Sequence, residues 1–507
     1  MVKTESYIPR PETEKIQEAC GVTGIFSKIG KNISPEIASL QERLQHRGQD
    51  SAGIATYTDG KIFAYTGLGK VSEVFPPDFD FEKHNLFSYL GIGHNRYGTS
   101  GEGSKDDTRG SQPVIGKYVG RELALAYNGN LPDEVRQKLK QRLPEDLQNS
   151  MFDTEDIANA IVSAKGDSWE EKIKTGLNGI DLAYSLTILT DDGRLFGLRG
   201  PSGTWPLWYG ETDDKVIFAS ETRVYNKDNI KWKEVKPGEL VEATKTGVLK
   251  KQIFEETQLL RCCLHDAYGA RGDSLMTEDI SYGDFRRELG RQLAREHPVD
   301  VDVIAGVPET GLVMAEGYAQ ELGKKPAILL TKNEEIRSFI AKDLDQTSMI
   351  VHKKYSVDKE LARGKRVLLV DDSLIRGKTM GGYEQKKLKG VVQRVREEAG
   401  ASEVHLAIAL SKFVDGCDMG YYIKKGHLVA IVKNERGEYQ ERSEKEIAKI
   451  VGADSIHFLS IDGIQEVYQK ILGKKDVACM ACMGQPQPLE IIKSKKIANK
   501  ATIFPVM

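Results

Sequence analysis

The stretch VLLVDDSLIRGKTM, from Val367 to Met380, decides the fold of the second half of the chain. Its first four residues are apolar and predict a buried strand, because short apolar runs between polar residues are typical of parallel sheets. Asp371 and Asp372 follow where this strand ends. In open α/β sheets ligands bind at that end of the strands, so the pattern predicts a binding site there. The alternative, a plain strand with a polar turn, would not need the whole pattern.

A polar loop continues the stretch after the two aspartates. It contains hydroxyl groups, two cations and a glycine, at Ser373, Arg376, Gly377, Lys378 and Thr379. Hydroxyls, cations and main-chain N–H groups beside a glycine are the groups that bind a phosphate. The paired carboxylates would repel a phosphate, but they can hold ribose hydroxyls or a magnesium ion. The order of acids and loop therefore predicts a site for a ribose 5-phosphate.

Length and composition indicate an ordinary soluble protein with more than one domain. A chain of 507 residues is too long for a single core, and 39% hydrophobic with 29% charged residues is a usual composition. The formal net charge of −3 favours neither a nucleic acid nor an anionic membrane as partner. No apolar run approaches the ~18–20 residues of a membrane span. The charged residues 1–19 are not a secretory signal, so we expect a cytoplasmic protein.

The first half carries a cysteine at the head of an alternating apolar run, CGVTGIFS at 20–27, which predicts a strand. Polar motifs follow at apparent strand ends and turns: LQHRGQDSAGI at 44–54, GHNRYGTSG at 93–101, AYNGNL at 126–131 and FDTED at 152–156. Over residues 20–240, these motifs together resemble the class II glutamine amidotransferases. The resemblance implies an N-terminal nucleophile (Ntn) hydrolase domain, a four-layer αββα fold with two stacked β-sheets between helices.

The same resemblance implies roles for six residues. Cys20 matches the nucleophile, whose thiolate attacks the glutamine amide carbon while its own α-amine acts as the base; a free α-amine titrates near ~7.7–8.0. Since Ala19 precedes Cys20, we predict that residues 1–19 are a propeptide removed on maturation. The other matched positions are the oxyanion donors Asn128 and Gly129, and the glutamine-binding residues Arg96 for the carboxylate, Asp153 for the α-ammonium and Arg47 beside the nucleophile.

The second half alternates strands and helices from about 260 to 470, which predicts a parallel α/β sheet. We place the domain boundary near Thr257, and a helix from Tyr282 to about Glu296. The apolar run 301–307 and the turn Pro308–Gly311 precede a helix that Gly323 ends.

This half resembles the type I phosphoribosyltransferases, and the two halves in this order resemble the amidophosphoribosyltransferase family. The turn then matches the loop that binds pyrophosphate. The implied residues for phosphoribosyl pyrophosphate are Asp371, Asp372, Ser373, Arg376, Gly377, Lys378, Thr379, Glu309, Thr310, Gly311, Lys332 and Arg337, and Asp371 and Asp372 would also hold Mg²⁺.

Several positions differ from the family pattern. Glu334 and Glu335 bring acids to a loop expected to close on pyrophosphate, and residues 380–390 are inserted length after the phosphate loop. Trp205 stands where an arginine is usual, which predicts an altered domain interface, and Gly98 replaces a serine. The acidic loop and the insertion leave open a different phosphorylated sugar as substrate.

Beyond Cys20, the cysteines are Cys262, Cys263, Cys417, Cys479 and Cys482. The last two form a CxxC pair, which indicates metal binding, because redox pairs usually open a helix in a thioredoxin-like unit that is absent here. The resemblance implies that Cys262, Cys417, Cys479 and Cys482 are four ligands of one centre. Four thiolates suit a 4Fe–4S cluster or zinc equally. The resemblance favours the iron–sulfur cluster, with structural Zn²⁺ as the alternative and Cys263 as a spare buried thiol.

The sequence thus predicts a propeptide at 1–19, a glutamine amidotransferase domain at 20–257, a phosphoribosyltransferase domain at 258–470, and a C-terminal extension at 471–507 with the CxxC ligands. The implied activity joins ammonia from glutamine to phosphoribosyl pyrophosphate, giving 5-phosphoribosylamine for purine synthesis. The family also implies purine nucleotides as feedback inhibitors and a homotetramer. The alternatives are a relative that acts on another phosphorylated sugar and a non-catalytic, nucleotide-binding regulatory homologue.

Overall fold

The computed structural model describes residues 20–97, 108–181, 183–225, 230–255, 259–332, 355–382, 389–417, 419–421 and 423–487. Several positions singled out in the sequence lie outside the described residues: the predicted propeptide 1–19, Gly98, the boundary at Thr257, Glu334, Glu335, Arg337 and residues 383–388 of the insertion. In the described part of the chain, no helix is both long enough and apolar enough to cross a membrane.

The first domain consists of antiparallel strands. They are β1 Gly21–Ser27, β2 Ser51–Thr58, β3 Lys61–Leu68, β4 Leu90–Arg96, β5 Val114–Tyr118, β6 Arg121–Gly129, β7 Tyr184–Thr190, β8 Leu195–Arg199, β9 Trp208–Glu211, β10 Lys215–Ala219, β11 Lys231–Glu234, β12 Glu239–Thr244 and β13 Gly247–Gln252. Among the described residues they form a seven-stranded sheet in the order β11-β9-β10-β1-β4-β2-β3 and a six-stranded sheet in the order β13-β12-β8-β7-β6-β5.

The two sheets pack face to face between layers of helices. These helices are α1 Ser34–Arg43, α2 Val71–Val74, α3 Asp133–Lys140, α4 Asp153–Ser163 and α5 Trp169–Gly176. Buried Val22 and Phe218 of one sheet share a core with Ala124 of the other. Ile37 of α1 covers the outer face of the first sheet, and Ile161 of α4 covers that of the second. The predicted four-layer αββα fold is confirmed.

The second domain is built around a parallel sheet. Its strands, with those of the small two-stranded sheets, are β14 Arg261–Cys262, β15 Val303–Gly306, β16 Leu330–Lys332, β17 Tyr355–Val357, β18 Arg366–Asp371, β19 Glu403–Ile408, β20 Ile431–Lys433, β21 Tyr439–Glu441, β22 Ser455–Phe458 and β23 Ala478–Cys479. Within the described ranges, the central sheet has the order β15-β18-β19-β22, all parallel. The predicted apolar strand is therefore β18, and Val367 to Val370 are fully buried in its centre.

Helices cover this sheet and carry the loops of the site. They are α6 Tyr282–Glu296, α7 Thr310–Glu321, α8 Lys359–Ala362, α9 Lys378–Gly381, α10 Val391–Gln393, α11 Glu444–Val451 and α12 Ile461–Leu472. Helix α6 has the bounds predicted from its apolar spacing, and the side chain of Ser281 caps its first turn by accepting from the Asp284 N–H.

Two glycines allow α6 and α7 to pack with their backbones in contact. A Cβ added at Gly290 of α6 would lie 2.0 Å from the carbonyl oxygen of Met314, and one at Gly317 of α7 would lie 1.9 Å from that of Arg287. Real Cβ atoms do not approach backbone so closely, so only glycine fits at these positions. Because α7 begins at Thr310, this packing sets the position of the turn that precedes it.

We predict that Gly290→Ala lowers the thermal stability. Alanine gains about 1 kcal/mol of helix propensity, but forcing a methyl group into packed backbone costs about 1–3 kcal/mol and here must move a whole helix. Thermal unfolding of the purified variant measures the effect. Gly272→Ala is the matched control, because its added Cβ would meet its nearest heavy atoms at 3.8 Å. Equal melting temperatures for the two variants would contradict the packing argument.

Candidate active sites

The first site forms where β1 begins and where β4 and β6 end. Cys20 immediately precedes β1, which pairs with β4 so that Gly21 lies opposite Asn95. The Cys20 Sγ lies 3.8 Å from the carbonyl oxygen of Tyr97. Burial raises the pKa of the Cys20 thiol, although the charges of Arg96 and Arg47 partly oppose that shift. A buried neutral thiol is a poor nucleophile, so this site needs a base to remove the proton.

Asn128 and Gly129 end strand β6 beside the cysteine. The Asn128 side chain is buried, and its Nδ2 has no hydrogen-bond acceptor among the described residues. A buried donor without an acceptor is costly unless a ligand completes it. Gly129 packs against the ring of Tyr127, since an added Cβ would lie 2.7 Å from that ring. Asn128 thus offers an orphan amide donor of the kind that an oxyanion site uses, and the predicted oxyanion role of Asn128 and Gly129 stays a prediction.

Arg96 and Asp153 are the residues predicted to bind the two ends of the glutamine substrate. They lie near Cys20 on different elements, Arg96 at the end of β4 and Asp153 at the start of α4. The Arg96 guanidinium carbon lies 5.5 Å from the centre of the Phe152 ring. Asp153 is the first residue of α4 and accepts from the Leu131 N–H at 3.2 Å. Burial raises the pKa of the Asp153 carboxyl. A cationic ligand beside the carboxylate would lower that pKa again. Both charges act on the Cys20 thiol, so the structure brings these residues together.

Arg47 contacts the nucleophile through the main chain. Its Nε donates to the carbonyl oxygen of Cys20 at 3.0 Å, and its Nη1 donates to Glu221 at 2.8 Å. Arg47 is buried, and both contacts hold the start of β1 in place. Its predicted role in binding glutamine stays a prediction.

The second site lies at the carboxyl end of β18. Asp372 is buried, and it accepts hydrogen bonds from the hydroxyls of Thr310 and Ser373, the latter at 2.6 Å. Burial raises the pKa of Asp372, and these two hydrogen bonds oppose the shift. Asp371 is half-buried and accepts from the Asp372 N–H at 3.0 Å. The two acids therefore differ: Asp372 is buried and ties the strand to the first residue of α7, whereas Asp371 is less buried.

The turn Pro308–Gly311, whose last two residues begin α7, approaches β18 very closely. A Cβ added at Gly311 would lie 2.5 Å from the carbonyl oxygen of Val370 and 3.3 Å from a carboxylate oxygen of Asp371. A glycine is therefore required where this turn meets the acids. The structure thus brings the predicted pyrophosphate turn and the predicted ribose acids into one place.

Glu309 in that turn is paired with two cations. Its carboxylate accepts from Lys332 at 2.7 Å and from Arg271 at 3.2 Å. The Lys332 hydrogen bond lowers the pKa of Glu309. Arg271 was not predicted, although it belongs to the segment ARGDS, 270–274.

The predicted phosphate loop, 373–379, leads into α9. Gly377 has φ of +73° and precedes the helix, a left-handed conformation that favours glycine. Lys378 and Thr379 lie in the first turn of α9, on the side of the sheet where Asp371 ends β18.

The four predicted metal ligands line one pocket. Cys262 on β14 lies opposite Cys479 on the parallel strand β23. The carbonyl oxygen of Cys482 accepts from the N–H of Val414, which brings the segment of Cys417 alongside. All four cysteines line this pocket, and Trp205 shares its lining.

Three of these thiols, Cys262, Cys479 and Cys482, have pKa values raised above the ordinary value of a cysteine. Burial and the neighbouring thiols raise the pKa of Cys262 and Cys482, and burial raises that of Cys479 to about 12. Deprotonation would therefore need a compensating positive charge inside the pocket. Cys263 is fully buried in the core, as predicted for a spare thiol.

Trp205 lies at the contact between the domains. Its Nε1 donates to the carbonyl oxygen of Met419 at 3.1 Å, and its ring packs against His265 and Tyr421. The substitution expected to affect the interface is thus part of it.

Sequence reasoning missed the polar groups that join the domains. Glu221, fully buried after β10, contacts both, and Glu234 pairs with Arg199 and Arg261 at 2.9 and 2.8 Å. An acid directly after a buried strand was the available signal for Glu221, but its partners are far away in sequence.

Comparison with known proteins supports both halves. The family model described as a glutamine amidotransferase domain matches residues 99–226, and the one described as a phosphoribosyl transferase domain matches residues 287–415. The amidophosphoribosyltransferase of Methanocaldococcus jannaschii is 34% identical over 495 residues, which is 93% of this chain and 98% of that protein. That of Bacillus subtilis is 32% identical over 489 residues, 95% of this chain and 96% of that protein.

Solved structures agree. The glutamine phosphoribosylpyrophosphate amidotransferase from B. subtilis, solved with ADP and GMP, superposes with a TM-score of 0.76 at 31% identity and covers 92% of this chain and 97% of that one. A structure described as the allosteric regulatory enzyme of purine biosynthesis gives a TM-score of 0.77 at 31% identity, covering 92% and 96%. With relatives of this identity matched over almost their whole length, the chain belongs to the amidophosphoribosyltransferase family.

Proposed function

We propose that this protein is a glutamine-dependent amidophosphoribosyltransferase that makes 5-phosphoribosylamine from glutamine and phosphoribosyl pyrophosphate, the first step of purine synthesis. One observation carries the proposal: a half-buried cysteine near an orphan amide donor, and an acid pair beside a glycine turn, lie in two domains of one chain that share a buried polar interface. A glutaminase alone would need no second site, and a simple phosphoribosyltransferase would need no cysteine site.

In the first half-reaction, the Cys20 sulfur attacks the amide carbon of glutamine and ammonia leaves. The resulting glutamyl thioester is hydrolysed by water, which restores the thiol and releases glutamate. The Nδ2 of Asn128, which has no protein acceptor in the described residues, is available for the oxyanion of both steps. The base is the α-amine of Cys20 itself, which requires removal of residues 1–19. Arg96 and Asp153 hold the two ends of the amino acid.

In the second half-reaction, the ammonia nitrogen bonds to the anomeric carbon as the bond to pyrophosphate breaks. As pyrophosphate leaves, the anomeric carbon and the ring oxygen develop positive charge, which the carboxylates of Asp371 and Asp372 would stabilise. The loop 373–379 would anchor the 5-phosphate, and the turn Glu309–Gly311 with Lys332 and Arg337 would bind the pyrophosphate. Ammonia has to pass between the sites inside the protein, because in water at neutral pH it is protonated.

Magnesium fits the donor set of the second site. Carboxylate oxygens are its preferred protein ligands, and Asp371 and Asp372 lie beside the turn that would face the diphosphate. When bound, Mg²⁺ would neutralise charge on the pyrophosphate as it leaves.

The cysteine pocket offers four thiols to a metal centre. Cys262, Cys417, Cys479 and Cys482 line one pocket. Four thiolates suit a 4Fe–4S cluster or zinc equally on their chemistry. We propose the iron–sulfur cluster because the family resemblance favours it, with structural zinc as the second candidate.

Further properties extend the same proposal. Purine nucleotides would act as feedback inhibitors, which the ADP and GMP bound to the related B. subtilis enzyme support. A homotetramer and a cytoplasmic location also belong to the proposal. A glutaminase assay with and without phosphoribosyl pyrophosphate tests the core of it. We expect phosphoribosylamine to form from glutamine and phosphoribosyl pyrophosphate. Activity with another phosphorylated sugar instead would favour the first alternative, and no catalysis at all would favour the regulatory homologue.

The first prediction concerns Cys20. Active protein should begin at Cys20, because only a terminal cysteine has its α-amine as the base. Intact mass spectrometry of active protein measures the start. Cys20→Ala should abolish glutamine-dependent product and leave ammonia-dependent product. Full glutaminase activity from chains that begin at Met1 would contradict this mechanism.

The second prediction concerns the acid pair. Asp371→Asn and Asp372→Asn should each lower the ammonia-dependent synthase rate by about 10²–10³-fold, the usual contribution of one positioned electrostatic group, while glutaminase activity is far less affected. Asp302→Asn is the control, because Asp302 contacts Arg366 at the opposite end of β18. Near-normal synthase rates in both acid variants would refute the ribose and magnesium assignment.

The third prediction concerns the metal. Protein purified without oxygen should be brown and contain about four iron and four sulfide per chain. Cys417→Ser should lose the colour and melt at lower temperature, whereas the control Cys263→Ser should keep the colour. Colourless protein with one zinc per chain would identify the second candidate, and protein without metal would remove the site.

A further inference from the structure

Glu221 is a buried carboxylate whose two oxygens contact different domains. Its Oε1 lies 2.8 Å from His46 Nε2 and accepts from Arg47 Nη1 at 2.8 Å. Its Oε2 accepts from the main-chain N–H of Arg271 at 3.1 Å and from the hydroxyl of Ser274 at 3.0 Å. The side chain is fully buried, so no water replaces any of these partners.

On the first domain, Glu221 fixes the residues that hold the nucleophile. His46 and Arg47 form the short turn Gln45–Arg47, and Arg47 Nε donates to the Cys20 carbonyl oxygen at 3.0 Å. A guanidinium that reaches both groups has little freedom, because its planar donors have fixed directions. Displacement of Glu221 would therefore move Arg47 and, with it, the main chain of Cys20.

On the second domain, Glu221 holds the segment from Arg271 to Ser274. The Arg271 guanidinium pairs with Glu309, which also accepts from Lys332. These side chains are 43%, 56% and 39% exposed, so their pairs are weak and exchangeable. A diphosphate ligand would compete with the Glu309 carboxylate for both cations, and movement of Arg271 would reach Glu221 through its main chain.

The charge of Glu221 is as important as its shape. Burial opposes ionisation, but the charges and hydrogen bonds of His46 and the charge of Arg47 outweigh it and hold the pKa of the carboxyl well below its usual range. A glutamine here would present an amide NH₂ to groups that are mostly donors, and would leave Arg47 buried without its counter-charge.

We propose that Glu221 is a positioning residue that couples the two sites, so that occupancy of the pyrophosphate turn changes the geometry of Cys20. The inference rests on the proposed roles of Cys20 and of the turn Glu309–Gly311. It concerns neither a substrate contact nor the chemical step, but the connection from Arg271 through Glu221 and Arg47 to the nucleophile.

The test measures a coupling ratio, defined as glutaminase kcat/KM with saturating phosphoribosyl pyrophosphate divided by that without it. In Glu221→Gln we expect this ratio to fall toward one, by about 2–30-fold, the range for residues that carry coupling between sites. Ammonia-dependent synthase activity should stay close to the wild-type value. Ser274→Ala should lower the ratio in the same direction while glutaminase without the second substrate is unchanged, because Arg47 keeps its carboxylate.

Glu234→Gln is the matched control. Glu234 is also an interface carboxylate between two arginines, Arg199 and Arg261, and neither of these ion pairs, among the residues that the structure describes, involves the turn Gln45–Arg47. Its ratio should equal that of the wild type. Thermal melting of each variant separates coupling from folding, and Ser274→Ala decides the question if Glu221→Gln does not fold.

Three results would overturn the proposal: a wild-type ratio of one, a wild-type ratio retained in folded Glu221→Gln or Ser274→Ala, or an equal loss in Glu234→Gln. Failure of the proposed function has a different signature, since the wild-type protein would then lack glutaminase or ammonia-dependent synthase activity altogether.

Discussion

Buried charges at the contact between the domains impose the constraint on which the rest of the structure depends. A guanidinium without a counter-charge in a protein interior is strongly unfavourable, and Arg47 and Arg261 are both buried. Their carboxylates, Glu221 and Glu234, are satisfied only when groups of both domains come together. The interface therefore fixes one relative placement of the two domains, because sliding one domain past the other would leave several buried charges without partners at once. Trp205 adds a hydrogen bond to Met419 within the same contact.

This placement matters because the two half-reactions share a reactive intermediate. Ammonia released into water is protonated, and an ammonium ion has no lone pair with which to attack the anomeric carbon. A fixed interface keeps the cysteine site and the carboxyl end of β18 in one relative position. The close packing of Gly311 against Val370 then fixes the acids relative to the turn that would bind pyrophosphate. Rigid elements thus determine where the substrates meet.

Much of this could be predicted from local sequence. Helix α6 and strand β18 follow from apolar spacing, since periodicity reports which face is buried. The Ntn fold and the two sites followed from motifs whose residues are contiguous, such as Asn128 with Gly129. Glu221 and Arg271 could not be predicted, because their importance comes from partners 175 and 38 residues away that only the fold brings near. Arg47 was predicted to lie beside Cys20, but its contact with the main chain of Cys20 depends on geometry that no motif specifies.

The central claim is that ammonia made at Cys20 reaches the second site without leaving the protein. Isotope competition measures this directly: glutamine labelled with ¹⁵N in its amide is supplied together with excess unlabelled ammonium, and the label in phosphoribosylamine, trapped as it forms, is followed by mass spectrometry. The account predicts that product formed through glutamine keeps nearly all of its label despite the ammonium in solution. Product whose ¹⁵N content equals that of the ammonia in solution would contradict it.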